Sequence, residues 1–94
     1  MSAAKSVQVA IFGRVQGVGY RAWVRDEALA RGLTGWVRNR KTGEVEAVFS
    51  GHAQTVDAMV TACHRGPDWA KVERVEFLPD AVPVPAGFEI LRTV

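Results

Sequence analysis

The chain alternates between two kinds of spacing. Val7, Val9 and Ile11 alternate with Gln8 and Ala10, a period of two that predicts a strand with one buried face, ending near Gly13. From Tyr20 the period lengthens: Tyr20, Val24 and Ala28 recur one helical turn apart, with Arg25, Asp26 and Arg31 left for the wet side, and Gly32 terminates this first helix. Two further strands are predicted. One runs from Leu33 to Arg38 and contains Trp36 and Val37; in the other, Val45, Ala47 and Phe49 alternate with Glu44, Glu46 and Val48. The segment Asn39-Arg40-Lys41-Thr42-Gly43 joins them as a short hairpin. Val56, Met59, Val60 and Cys63 then fall at i, i+3, i+4 and i+7, which predicts a second helix from about Ala53 to His64, ended by Gly66-Pro67. Val72, Val75 and Phe77 make a fourth strand whose imperfect period suggests a bulge. Pro79, Pro83 and Pro85 mark a loop, and Phe88 and Ile90 a short final strand.

The order strand, helix, strand, strand, helix, strand is that of an α+β chain. With right-handed crossovers, both helices pack on one face of a mainly antiparallel sheet, the ferredoxin-like βαββαβ sandwich, here with a short extra C-terminal strand. In that topology the second strand runs parallel to the first with the third between them, so the segment after the first strand becomes a neighbour of Asn39. Two strand spacings, about 9 to 10 Å, separate them. A long Arg side chain can bridge part of that gap.

Composition sets limits around this picture. The 94 residues, 48% hydrophobic and 23% charged, suit one hydrophobic core, so a single domain over residues 1–94 is expected. No run approaches the roughly 20 apolar residues of a membrane span, and the opening Met-Ser-Ala-Ala-Lys is not followed by the apolar run of a secretory signal. A cytoplasmic monomer without a membrane partner is expected. Cys63 is the only cysteine, which leaves no intrachain disulfide and no Cys-based zinc site. The net charge of +2 is unevenly spread: Gly13 to Lys41 holds seven basic and two acidic residues (+5), and the remainder five basic and eight acidic (−3). Such a split implies local attraction for anions rather than a chain basic throughout.

The centre of that basic stretch is GRVQGVGYR, residues 13–21. Closely spaced glycines let successive backbone N–H groups point at one centre, and a helix starting directly afterwards adds its own free donors and the positive end of its dipole. An arginine in the first turn adds a planar fork matched to two phosphate oxygens. A tight strand-to-helix turn that merely needs positive φ is the other reading of the same glycines. A Walker loop is excluded, because Gly19 is followed by Tyr20 and Arg21 rather than Lys and Ser or Thr. Gly17-Val18-Gly19-Tyr20-Arg21-Ala22 fits the form of a dinucleotide fingerprint, but Arg38, Asn39 and Arg40 stand where its acidic residue belongs, and the chain is too short for a full Rossmann sheet.

Together GRVQGVGYR, the stretch GLTGWVRNRKTGEVEAVFSG at 32–51 and CHRGP at 63–67 closely resemble the acylphosphatase family, over nearly the whole chain. The resemblance implies hydrolysis of the carboxyl-phosphate bond of small acyl phosphates to a carboxylate and inorganic phosphate, with no metal or organic cofactor. By motif position it implies that Arg21 binds phosphate and that Asn39 holds the attacking water. The cradle it implies is Arg14, Val15, Gln16, Gly17, Val18, Gly19 and Tyr20. Two departures stand out: Arg40 follows the asparagine where the family often has Thr, and Leu91-Arg92-Thr93 replaces the aromatic that some members carry near the end.

Other candidates point elsewhere only weakly. His52 at a strand-to-helix turn and His64 at a helix end suit solvent or dipole compensation. Glu44 and Glu46 are expected on an exposed sheet face, and Trp23, Trp36 and Trp69 in or at the edge of the core. An RNA-recognition sheet would need exposed aromatics in a Lys/Arg-Gly-Phe-Gly-Phe-Val pattern, and none occurs, so no nucleic-acid partner is expected.

Overall fold

A computed structural model describes residues 3–79 and 86–94; Met1, Pro83 and Pro85 lie outside that range. The elements are β1 (Ala4–Arg14), α1 (Tyr20–Ala30), β2 (Thr34–Asn39), β3 (Val45–His52), α2 (Ala53–Arg65), β4 (Lys71–Leu78) and β5 (Phe88–Ile90). One sheet holds all five strands in the order β4-β1-β3-β2-β5. β3 pairs antiparallel with both β1 and β2, so those two run parallel, and β5 joins β2 in parallel. This is the expected ferredoxin-like arrangement. It continues by a fifth strand at the β2 edge.

Alternation in the strands decides which face the helices cover. Val7, Val9 and Ile11 pair across with Phe49, Ala47 and Val45, and these meet Val37 of β2 on the same face. The helical stripes Tyr20, Val24, Ala28 and Val56, Met59, Cys63 pack on them, and all are buried. Asn39 shares parity with Val37 and therefore faces the helices, level with Val45 and, one strand further on, Ile11.

The predicted bulge lies in β4. Pairing with β1 slips between Phe12, opposite Arg74, and Gly13, opposite Val72, which leaves Glu73 as the extra residue. Gly13 has φ 130°, and a Cβ there would stand 2.2 Å from the Lys71 carbonyl oxygen. Only glycine permits so close a crossing at the end of β1.

The uncovered face departs from expectation at one residue. Glu46 is buried, because Gln8 Nε2 donates to its Oε2 at 2.6 Å and Arg38 Nε to its Oε1 at 2.8 Å, while Arg40 Nη1 reaches the same oxygen at 3.4 Å. Arg38 also lies over the Trp36 ring at 4.7 Å and Arg74 over Phe12 at 3.9 Å. Long cationic side chains thus roof the open face and enclose a carboxylate that alternation alone assigns to solvent.

The two helices are joined by a buried hydrogen bond from Tyr20 Oη, in the first turn of α1, to the Cys63 carbonyl in the last turns of α2, at 2.9 Å. Burial raises the Tyr20 phenol above its ordinary value and pushes the Cys63 thiol up to about 12. Tyr20→Phe is expected to lower the unfolding free energy by about 1 to 2 kcal/mol in urea titration, since it strands a buried carbonyl. Both groups stay protonated in the native state while the unfolded chain ionises, so stability is level below the ordinary thiol value of 9.0 and falls as pH rises from there towards about 12. The urea midpoint measured against pH checks the sign of that dependence.

Candidate active site

β1 ends at Arg14, and residues 15–19 cross to the start of α1. Gly17 and Gly19 take positive φ of 74° and 80°, the left-handed conformation that turns successive amides to one side. Gly19 caps α1 without a side-chain hydrogen bond, and no acidic residue stands in the first turn. The first loop-to-helix bond is Trp23 N–H to Gly19 O at 3.1 Å. The amides of Gln16, Gly17, Val18, Gly19, Tyr20, Arg21 and Ala22 consequently find no backbone acceptor among the described residues. Free donors and an uncompensated helix N-terminus together favour an anion.

A pocket of about 200 Å³ opens against this loop, lined by Val15, Gly17, Gly19, Tyr20, Arg21, Ala22, Asn39 and Ile90. Arg21 forms no ion pair among the described residues. The other arginines of the basic stretch are mostly engaged: Arg25 with Asp26, Arg31 with Glu27, and Arg38 and Arg40 with Glu46. Asn39 Oδ1 is buried and has no hydrogen-bond partner among the described residues. Buried side-chain polar atoms are nearly always paired, so this one is held ready for a donor. Rotation about χ2 exchanges the two ends of the carboxamide, and Asn39 can therefore offer the pocket either an acceptor or two donors.

Asn39 is fixed from three sides. Its backbone pairs with Val45 of β3, and its carbonyl accepts from Val94 N–H at 3.2 Å. The tail is tied again by Lys41 N–H to Val94 O at 2.7 Å and Leu91 N–H to Val37 O at 2.9 Å. The third tie comes from the loop itself. Gln16 Nε2 donates to the carbonyls of Arg40 at 2.7 Å and Glu44 at 2.9 Å, locking the glycine loop to the hairpin that follows Asn39.

Of the residues expected at the site, Val15, Gly17, Gly19, Tyr20, Arg21 and Asn39 line the pocket together. The Arg14 side chain is exposed at the end of β1, Val18 packs partly against the core, and the Gln16 side chain turns to the hairpin; none of the three lines it. Arg40 lies outside as well, with its side chain on the opposite face of the sheet beside Glu46. Ala22 and Ile90 are additional. Ile90 arrives because β5 sets it beside Val37, two residues before Asn39, a placement that periodicity does not encode.

The tryptophans divide in a way the sequence does not predict. Trp23 packs against the core 5.4 Å from the Tyr20 ring and Trp36 is buried under Arg38, but Trp69 is 51% exposed in the α2–β4 turn. The tight turn from Pro67 to Ala70 leaves the ring at the surface.

The family model described as Acylphosphatase matches residues 7–90. The chain belongs to the acylphosphatase family. A relative from Azorhizobium caulinodans named acylphosphatase is 54% identical over 90 residues, which cover 95% of this chain and 97% of that one. An acylphosphatase structure from Coxiella burnetii has a TM-score of 0.86 at 32% identity, covering 94% of this chain and 93% of that chain. One from Bacillus subtilis has 0.85 at 32% identity, covering 95% and 99%. As an acylphosphatase, the protein is a hydrolase of small acyl phosphates.

Removing the Gln16 carboxamide frees the hairpin from the loop while leaving every backbone amide in place. Gln16→Ala is expected to lower kcat about tenfold or more, through misplacement of Asn39, while inorganic phosphate inhibits with nearly the parental constant. Steady-state kinetics with phosphate as competitor separates the two effects.

Proposed function

We propose that the pocket binds the phosphoryl group of an acyl phosphate through the amides of Gln16 to Ala22 and the Arg21 guanidinium, and that Asn39 holds the water that attacks it. The observation that carries this reading is the meeting, in one pocket, of a free backbone donor run, an unpaired arginine and an unsatisfied buried carboxamide. An unpaired buried carboxamide oxygen is costly, and all three features find partners in a tetrahedral dianion and a neighbouring water.

The chemistry asks for little more. The leaving group is a weakly basic carboxylate, so its departure needs no strong acid, and no carboxylate, imidazole or thiol lines the pocket. In the proposed step the water oxygen forms a bond to phosphorus in line with the breaking bond from phosphorus to the acyl oxygen. The bonding electrons leave with the carboxylate, and the water's proton passes to a phosphoryl oxygen. Charge developing on the equatorial oxygens is met by donors already in place, which is the source of the rate gain. Asn39 accepts from the water and so aims its lone pair.

We further propose that the protein is a cytoplasmic monomer of one domain. Its single cysteine is free and buried, and no helix of the described residues is long and apolar enough to cross a membrane.

Arg21→Ala is expected to abolish both phosphate inhibition and turnover, and Arg21→Lys to lose nearly as much, because a point charge does not reproduce the fork. Asn39→Ala is expected to retain phosphate inhibition while losing at least about 100-fold in kcat, the scale of one positioned polar group. The assay is hydrolysis of a simple acyl phosphate with inorganic phosphate as competitor. Parental turnover by Asn39→Ala would remove the asparagine from the mechanism.

A further inference from the structure

The loop and Arg21 recognise a phosphoryl group alone, and Arg40 points to the other face of the sheet. We infer that Trp69 recognises the acyl half of the substrate: its exposed indole receives an apolar, preferentially aromatic, acyl group whose phosphoryl end sits in the glycine loop. This rests on the phosphoryl-binding reading above.

Three observations place the ring there. The indole Cη2 lies 3.8 Å from where a Cβ on Gly19 would stand, in van der Waals reach of the last loop residue, which itself lines the pocket. Among the described aromatics, Phe12 lies under Arg74, Trp36 under Arg38, Trp23 beside Tyr20, and Phe49 against Phe88 at 5.8 Å; Trp69 and Phe77 remain largely in water. Phe77 stands opposite Val9, remote from the loop, because the Lys71 end of β4 is the one that pairs with Arg14. Trp69 is therefore the uncovered aromatic beside the pocket, and Ile90, 36% exposed, supplies an apolar wall from β5.

The turn that carries the ring is also held in position. Ala70 N–H donates to Pro67 O at 3.0 Å, closing a turn around Asp68 and Trp69. Before that turn, Gly66 fits closely against its neighbours, since a Cβ there would lie 3.2 Å from Val72 Cγ2 and 3.5 Å from Tyr20 Cε2. Tyr20 opens α1, so the turn bearing Trp69 and the helix bearing Arg21 are registered against the same side chain. An offset-stacked acyl ring gains from the indole face, whereas a short aliphatic group covers little of it.

The test compares benzoyl phosphate with acetyl phosphate as substrates, with inorganic phosphate as inhibitor, in the parental protein, Trp69→Ala and Trp69→Phe. Trp69→Ala is expected to shift the benzoyl-to-acetyl ratio of kcat/KM about tenfold towards acetyl phosphate. The phosphate inhibition constant stays at the parental value, and Trp69→Phe restores most of the ratio. An unchanged ratio overturns the inference. So does an equal loss on both substrates with weakened phosphate inhibition, which would make Trp69 a support for the Gly19 backbone. A parental protein that hydrolyses neither substrate overturns the phosphoryl-binding reading and this one with it, whereas parental turnover with an unmoved ratio in Trp69→Ala overturns this one alone.

Discussion

Seven successive amides, Gln16 to Ala22, that find no backbone acceptor among the described residues are the constraint around which the domain is arranged. Unpaired backbone donors are costly when removed from water, and a helix that begins without a capping side chain or an acidic first turn forgoes a further contribution. Gly17 and Gly19 add backbone entropy to that cost. A fold that tolerates this must offset it elsewhere, and here the offset is a core of interlocking Val, Ile, Met and Phe side chains directly beneath the loop.

The loop has no regular structure of its own, so its shape is imposed at its ends and by one side chain. At one end Gly13 crosses close over the β4 bulge; at the other Tyr20 is driven into the core and bonded to α2. Between them Gln16 spends its carboxamide on two carbonyls of the β2–β3 hairpin. That bond turns two sequence-distant segments into one rigid unit, which is the condition for electrostatic preorganisation: donors that must reorganise during the reaction lose most of their advantage. The C-terminal residues complete the clamp on the Asn39 backbone.

Most of this architecture was readable from the sequence, because it rests on local periodicity. Val7-Val9-Ile11, the Tyr20-Val24-Ala28 stripe and Val56-Met59-Val60-Cys63 each fix an element and its buried face, and right-handed crossovers then bring the glycine loop to the edge that carries Asn39. What could not be read depends on which atoms cover which. Glu46 alternates like a solvent residue and is enclosed only because Gln8 of β1, Arg38 of β2 and Arg40 of the hairpin converge on it. Gln16 reads as one more residue of a phosphate cradle, yet its side chain serves the hairpin. Ile90 joins the pocket through a parallel pairing with β2 that no short-range pattern specifies, and Trp69 is exposed because a tight turn overrides the preference of a large ring for the core.

The basic stretch shows why a count of charges and the electrostatics of a site differ. Of its seven cations, Arg25 pairs with Asp26, Arg31 with Glu27, and Arg38 and Arg40 share Glu46 on the sheet face opposite the pocket. Asp26 and Glu27 already enter the stretch's +5, so Glu46 is the one carboxylate these pairs bring from outside it, and the local excess stays positive. Arg21 differs in having no ion-pair partner among the described residues, in a concave setting where Coulomb attraction is stronger than at an open surface. A carboxylate placed there would pair with Arg21 and occupy the donors that the proposed reading gives to the phosphoryl group. With Arg25, Arg31, Arg38 and Arg40 paired and no acid among the described lining residues, the Arg21 guanidinium is left free for the ligand in the proposed reading.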